Sequence, residues 1–111
     1  MDLVLELQTL IDNLNISIKE LRVSGNALAE AERDYKVLLR QECLKLRDEG
    51  MAVTIIDRIC YGIPSVAEAR FKRDVAEVKY KANMEAINTY KLMIRIIQNQ
   101  IDKEYGKEEL V

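Results

Sequence analysis

Histidine and tryptophan are absent from this sequence, and its 111 residues include one proline, one phenylalanine, four glycines and two cysteines. Each shortage excludes something. Without histidine there is no imidazole to ligate a metal or serve as a general base, and the Glu-x-x-His pairs of di-iron bundles cannot form. A ferritin-like oxidase is excluded. So little proline and glycine leaves few places to turn, which points to long uninterrupted elements. No stretch approaches the run of about 18 apolar residues that a spanning helix needs. The opening MDLVLELQTL carries acids where a secretory signal would carry positive charge, so a cytoplasmic protein is expected. Cys43 and Cys60 have no CxxC spacing and fall in apolar patterns, which favours buried free thiols over a disulfide or a ligand pair.

The motifs of catalysis are missing too: there is no P-loop, no nucleophile elbow and no glycine-rich phosphate cradle. Asp74 with Glu77, and Asp102 with Glu104, resemble the carboxylate pairs of Mg²⁺ sites in all-helical nucleotide pyrophosphatases. Those sites need several carboxylates on one face, whereas here acids alternate with bases as on a solvated helix. The expectation is a protein that is not an enzyme, with no cofactor and no metal.

What the chain does have is 49% apolar and 32% charged residues with only 5% aromatics, the composition of long helices or a coiled coil. A single domain over residues 1–111 is expected. The net charge of -2 is unevenly spread. Residues 1–32 hold two basic and six acidic side chains, residues 33–81 eleven and eight, and residues 82–111 four and five. The middle is the basic part.

Apolar residues recur on heptads from Leu3 to Glu49. Leu7, Leu14, Leu21, Leu28 and Tyr35 form the central row, with Leu3, Leu10, Ala31 and Leu38 on one flank and Val4, Ile11, Ile18 and Leu39 on the other. A stripe this wide suits a bundle better than a two-stranded coil. Ser17 interrupts it, as do Ser24, Gly25 and Asn26. Because Leu21 and Leu28 keep the phase across the last three, one helix over 3–49 is favoured over a turn, with the small residues making room for a bulky side chain opposite.

The stretch 50–64, GMAVTIIDRICYGIP, is read as the bend of a hairpin. Gly50 and Met51 suit a Schellman stop. A short helical element follows, with Thr54 and Asp57 as a capping box and Ile55, Ile56, Ile59 and Cys60 on one face until Gly62. Pro64, with Ser65 and Glu68 as a second capping box, opens a helix over 65–105. Its heptads run through Val66, Arg73, Tyr80, Ile87, Ile94 and Ile101, with Ala69, Ala76, Asn83, Tyr90 and Ile97 between. Gly106 is expected to end it, leaving a frayed tail over 106–111.

Helices of this length span roughly 60–70 Å. Folded back about the bend, they would set Tyr90 against Ser24 and Gly25, and pair Arg73 with Glu42. Phe71, Val75, Val78, Leu92, Met93 and Ile96 lie outside the stripe and need cover. The simplest cover is a second copy, so the fold class is all-α: a long antiparallel helical hairpin pairing into a four-helix-bundle homodimer. The candidate site is the bend. Ile55, Ile56, Ile59, Tyr61 and Ile63 concentrate there within reach of Arg58, Arg70, Lys72 and Lys79. Either the isoleucines plug the bundle end, or an apolar patch with a basic rim docks an unidentified protein partner or, less favoured, a nucleic-acid backbone.

The run RDEGMAVTIIDRICYGIPSVAEARFKRDVAEVKYKANMEAI resembles a small family of helical proteins from bacteriophages and prophages of Gram-positive bacteria, over about residues 35–105. That resemblance implies an accessory role, near replication and recombination functions or as an inhibitor of a host protein. A second, geometric resemblance is to secreted helical hairpins of the WXG100 type. Tyr105 and Glu109 match their tail pattern, but Tyr61 and Gly62 stand at the bend without the tryptophan. The function expected is therefore a non-enzymatic protein-interaction module.

Overall fold

The computed structural model describes residues 2–109, and the side chains of residues 2–106. It is all-helical: α1 spans Leu3–Asp48, α2 Val53–Ile59, a 3-10 turn Cys60–Gly62, and α3 Pro64–Glu109. No strand occurs among the described residues.

The helix ends follow from local chemistry. Asp2 caps α1, its Oδ1 accepting the Val4 and Leu5 amides at 3.0 and 3.2 Å. At the other end Gly50 takes φ 90. Its amide donates to the Arg47 carbonyl at 3.0 Å and that of Met51 to Leu46 at 3.2 Å, the two bonds of a Schellman motif. The left-handed turn is what glycine supplies here. The expected capping boxes do not form the helix starts. Ala52, with no side-chain oxygen, precedes α2, and its carbonyl accepts the Ile55 and Ile56 amides at 3.0 Å each. At the start of α3 Ile63 is extended, with φ -61 and ψ 128, because the residue before a proline is driven out of the α region. Pro64 is then the first helical residue, and Ser65 lies inside the helix. Gly106 likewise lies within α3 instead of ending it. Of the tail expected to fray, residues 106–109 are helical, and 110–111 lie outside the described residues.

Contacts group the chain into two compact units. The first combines α1 up to Val23 with α3 from Lys81 onward; Leu10, Ser17, Ile87 and Ile97 are its buried residues. Asn83 Nδ2 donates to the Glu20 carbonyl at 3.3 Å, tying the two segments.

The second unit, Ser24–Tyr80, holds the rest of α1, the whole bend and the first turns of α3. Ser24, Tyr35, Ile56, Cys60 and Val66 are its buried residues. α1 runs without a break through Ser24, Gly25 and Asn26. A Cβ added at Gly25 would stand 3.3 Å from Tyr80 Cε2, so the glycine makes room for a ring. That ring belongs to Tyr80, not to the expected Tyr90. The Glu42–Arg73 pair also gives way. Arg73 directs Nε and Nη2 at Asp74 Oδ1, 3.1 and 2.8 Å away, and its Cζ lies 4.7 Å from the centroid of the Tyr35 ring. Asp74 is the main influence holding the Arg73 pKa above its ordinary value, through that hydrogen bond. No buried side-chain nitrogen or oxygen among the described residues lacks a partner.

Candidate interaction surface

The bend belongs wholly to the second unit, and its isoleucines divide between interior and surface. Ile56 on α2 is 5% exposed, and Cys60, four residues on in the 3-10 turn, is 2% exposed. Ile55 and Ile59, the neighbouring pair one turn apart, are exposed, as is Tyr61 at 47%. Ile63 is half-buried. The four apolar positions expected on one face are therefore split along its middle. Ile56 and Cys60 are buried, while Ile55, Ile59 and Tyr61 remain open to solvent.

Arg58, Arg70, Lys72 and Lys79 are all exposed. Lys72 lines a cleft of about 430 Å³ that also holds Glu30, Asp34 and Glu68, so its surroundings are acidic. Of the nine residues singled out in the sequence, Ile56 alone reaches the larger cleft.

That larger cleft, about 630 Å³, lies between the last turns of α1 and the start of α2. Leu39, Cys43, Leu44, Val53 and Ile56 supply its apolar surface. Lys36, Arg40 and Arg47 stand along it on α1, and Asp57 is its one acid. None of these three cations is in an ion pair with a described residue. Cys43, half-buried, and Cys60, buried, are free thiols. Burial raises the Cys43 pKa, helped by the neighbouring Cys60 thiol and the Asp57 carboxylate.

The cleft was not recognised in the sequence because Leu39 and Cys43 read as core positions. The signal was nevertheless present: Lys36 and Arg40 are one turn apart and Arg47 two turns further, a basic edge beside Leu39, Cys43 and Leu44. Among the described residues no group of three or more Cys, Asp and Glu could hold a metal ion, and no helix is long and apolar enough to cross a membrane. Comparisons with protein-family models, with curated proteins and with solved structures return no match.

Proposed function

We propose that this chain is a non-enzymatic interaction module that pairs with a second copy through the outer side of α3. One observation carries the reading. Along α3 the heptad positions of Val66, Arg73, Tyr80, Ile87 and Ile94 are buried or half-buried, while a second set of apolar residues at helical spacing is exposed. In the second unit these are Phe71 at 62%, Val75, and Val78 at 69%; in the first they are Leu92, Met93 and Ile96. Apolar residues repeated every three and four positions on an exposed face are the pattern of a helix that packs on a partner.

The magnitude suits a reversible dimer. Covering the exposed part of each side chain is worth about 1 kcal/mol, so an isologous pair of such faces supplies on the order of 10 kcal/mol before costs. Lost rotational and translational freedom takes about 4–15 kcal/mol of this. The gain exceeds only the lower part of that cost, so a weak, reversible four-helix-bundle dimer is the expected form. The accessory role implied by the resemblance to phage helical proteins enters here, as a cytoplasmic module that docks on and modulates another protein.

Sedimentation velocity over a concentration series tests the pairing. Val78→Glu and Leu92→Glu, made separately, are expected to shift the population to the 12.8 kDa monomer while helicity is retained. A wild-type chain that sediments as a monomer at all concentrations refutes the proposal.

A further inference from the structure

Beyond self-pairing, the geometry points to a second docking site in the cleft between α1 and α2, whose occupant is an acidic amphipathic helix of another protein. The inference rests on the interaction-module reading and names the partner's chemistry. Leu39, Leu44 and Val53 offer an apolar surface over the buried Ile56, and Lys36, Arg40 and Arg47 form a row along one side of it. With Asp57 as the only acid in the lining, the cleft carries a net charge of +2. At 1.5 Å per residue the row from Lys36 to Arg47 spans roughly 16 Å, three turns of a helix laid beside it.

Two features of the site choose between occupants. A fatty acid or other single-headed amphiphile has one anionic end and would use one cation, leaving the remainder of a 16 Å row (roughly) without purpose. A nucleic-acid backbone would match the charges, but it would cover Leu39, Leu44 and Val53 with a polar chain and gain nothing from them. A helix with an apolar stripe and carboxylates along its flank satisfies both parts at once: the stripe enters the cleft, and the acids meet Lys36, Arg40 and Arg47. Charge of this kind contributes more to choosing the partner and speeding its encounter than to affinity.

Fluorescence anisotropy of the full chain with a labelled peptide of about 15 residues tests this, with leucines at helical spacing and glutamates on one flank. Saturable binding is expected at low salt, weakened about tenfold or more in Arg40→Glu/Arg47→Glu and by raising salt to roughly 0.3 M. A peptide with lysine in place of every glutamate is expected not to bind. Equal binding of the lysine peptide, or unchanged binding in the double variant, overturns the proposal. So does displacement of the acidic peptide by laurate or by single-stranded DNA at comparable concentration, since either then owns the site. Sedimentation of the same samples separates the two readings. A double variant that loses self-association shows the cleft to be filled by a second copy, which also overturns the proposal. Peptide binding by a chain that never self-associates refutes the pairing through α3 and leaves the cleft standing.

Discussion

Gly25 is the position where a single added atom tests the packing of the second unit. In a helix interior Gly→Ala gains about 0.8–1 kcal/mol, because the backbone loses less freedom on folding. Here the new Cβ would meet Tyr80 Cε2 at 3.3 Å and Cδ2 at 3.7 Å. The second distance is an ordinary contact, and the first requires the ring to move by a few tenths of an ångström. Tyr80 is half-buried, so its ring can yield at a cost of about 0.5 kcal/mol, and Gly25→Ala should come out within roughly 0.5 kcal/mol of neutral. Gly25→Leu is different in kind: its branched end would occupy the volume of the ring, with an expected loss of about 2–3 kcal/mol. In a Tyr80→Ala background the same leucine has room, and about 1.5–2 kcal/mol of that loss should return as coupling. Urea unfolding followed by helical circular dichroism, at one fixed protein concentration, gives the four corners of the cycle. Thermal melting should agree at about 4 °C per kcal/mol for a chain of this length. The exposed Tyr61→Ala serves as the control, expected to be additive with Gly25→Leu within roughly 0.5 kcal/mol. If Tyr80→Ala is additive too, the ring does not rest on Gly25 and the packing described here is wrong.

Ile56→Ala should cost about 2–4 kcal/mol in urea unfolding, because the buried side chain leaves a cavity, whereas Ile55→Ala should cost less than about 1 kcal/mol. Similar losses at both positions would refute the division of the isoleucines. Gly50→Ala meets no atom within 4 Å, so its cost is conformational only, about 1–2 kcal/mol for holding alanine at φ 90, and Gly50→Asn should recover part of it in the same assay. The thiols should react slowly with alkylating reagents in the folded chain, and stability should depend on Cys43 at alkaline pH. Its folded pKa is raised, so its contribution is fully present below the unfolded thiol pKa and declines as pH rises above that value towards the folded one. Melting curves collected from neutral to alkaline pH should therefore fall less steeply for Cys43→Ser, and parallel curves would remove this thiol from the account.

The helix limits were legible where one residue type has one physical consequence. Gly50 stops α1 because it takes a positive φ, and Pro64 opens α3 because a ring nitrogen without a proton fits the first turn. Caps based on side-chain oxygens were less legible, since Thr54 and Ser65 have competitors: the backbone carbonyls of Ala52 and Ile63 already accept the first helical amides. Asp2 was overlooked as the cap of α1 although it immediately precedes the apolar pattern. The inward side of α2 was hidden for another reason. Seven residues are two turns, and with apolar residues at 55, 56, 59 and 60 the pattern has no polar edge to show whether the 55/59 or the 56/60 pair is buried. The cleft escaped because its cations and its apolar surface come from different helical rows, which only the approach of α2 turns into a site.

Register was the least legible property, and the reason is specific. A heptad pattern determines which face of one helix meets another, but sliding by seven residues leaves that face unchanged. The register expected from the sequence came from folding the chain about the middle of the bend; it set Arg73 against Glu42, and it would bring Tyr80 alongside Tyr35. An Arg73–Glu42 pair would do little to hold that register, since a partly solvated pair contributes only about 0–1 kcal/mol. Two tyrosine rings competing for one seam position cost more than that, about 1–3 kcal/mol if overpacking is representative. The observed arrangement removes the conflict. Tyr80 rests on Gly25, where no Cβ stands in its way, and the flat guanidinium of Arg73 covers Tyr35 while Asp74 on its own helix balances the charge. The small residues and the rings thus select the register by shape, and charge is satisfied locally within whatever register shape allows.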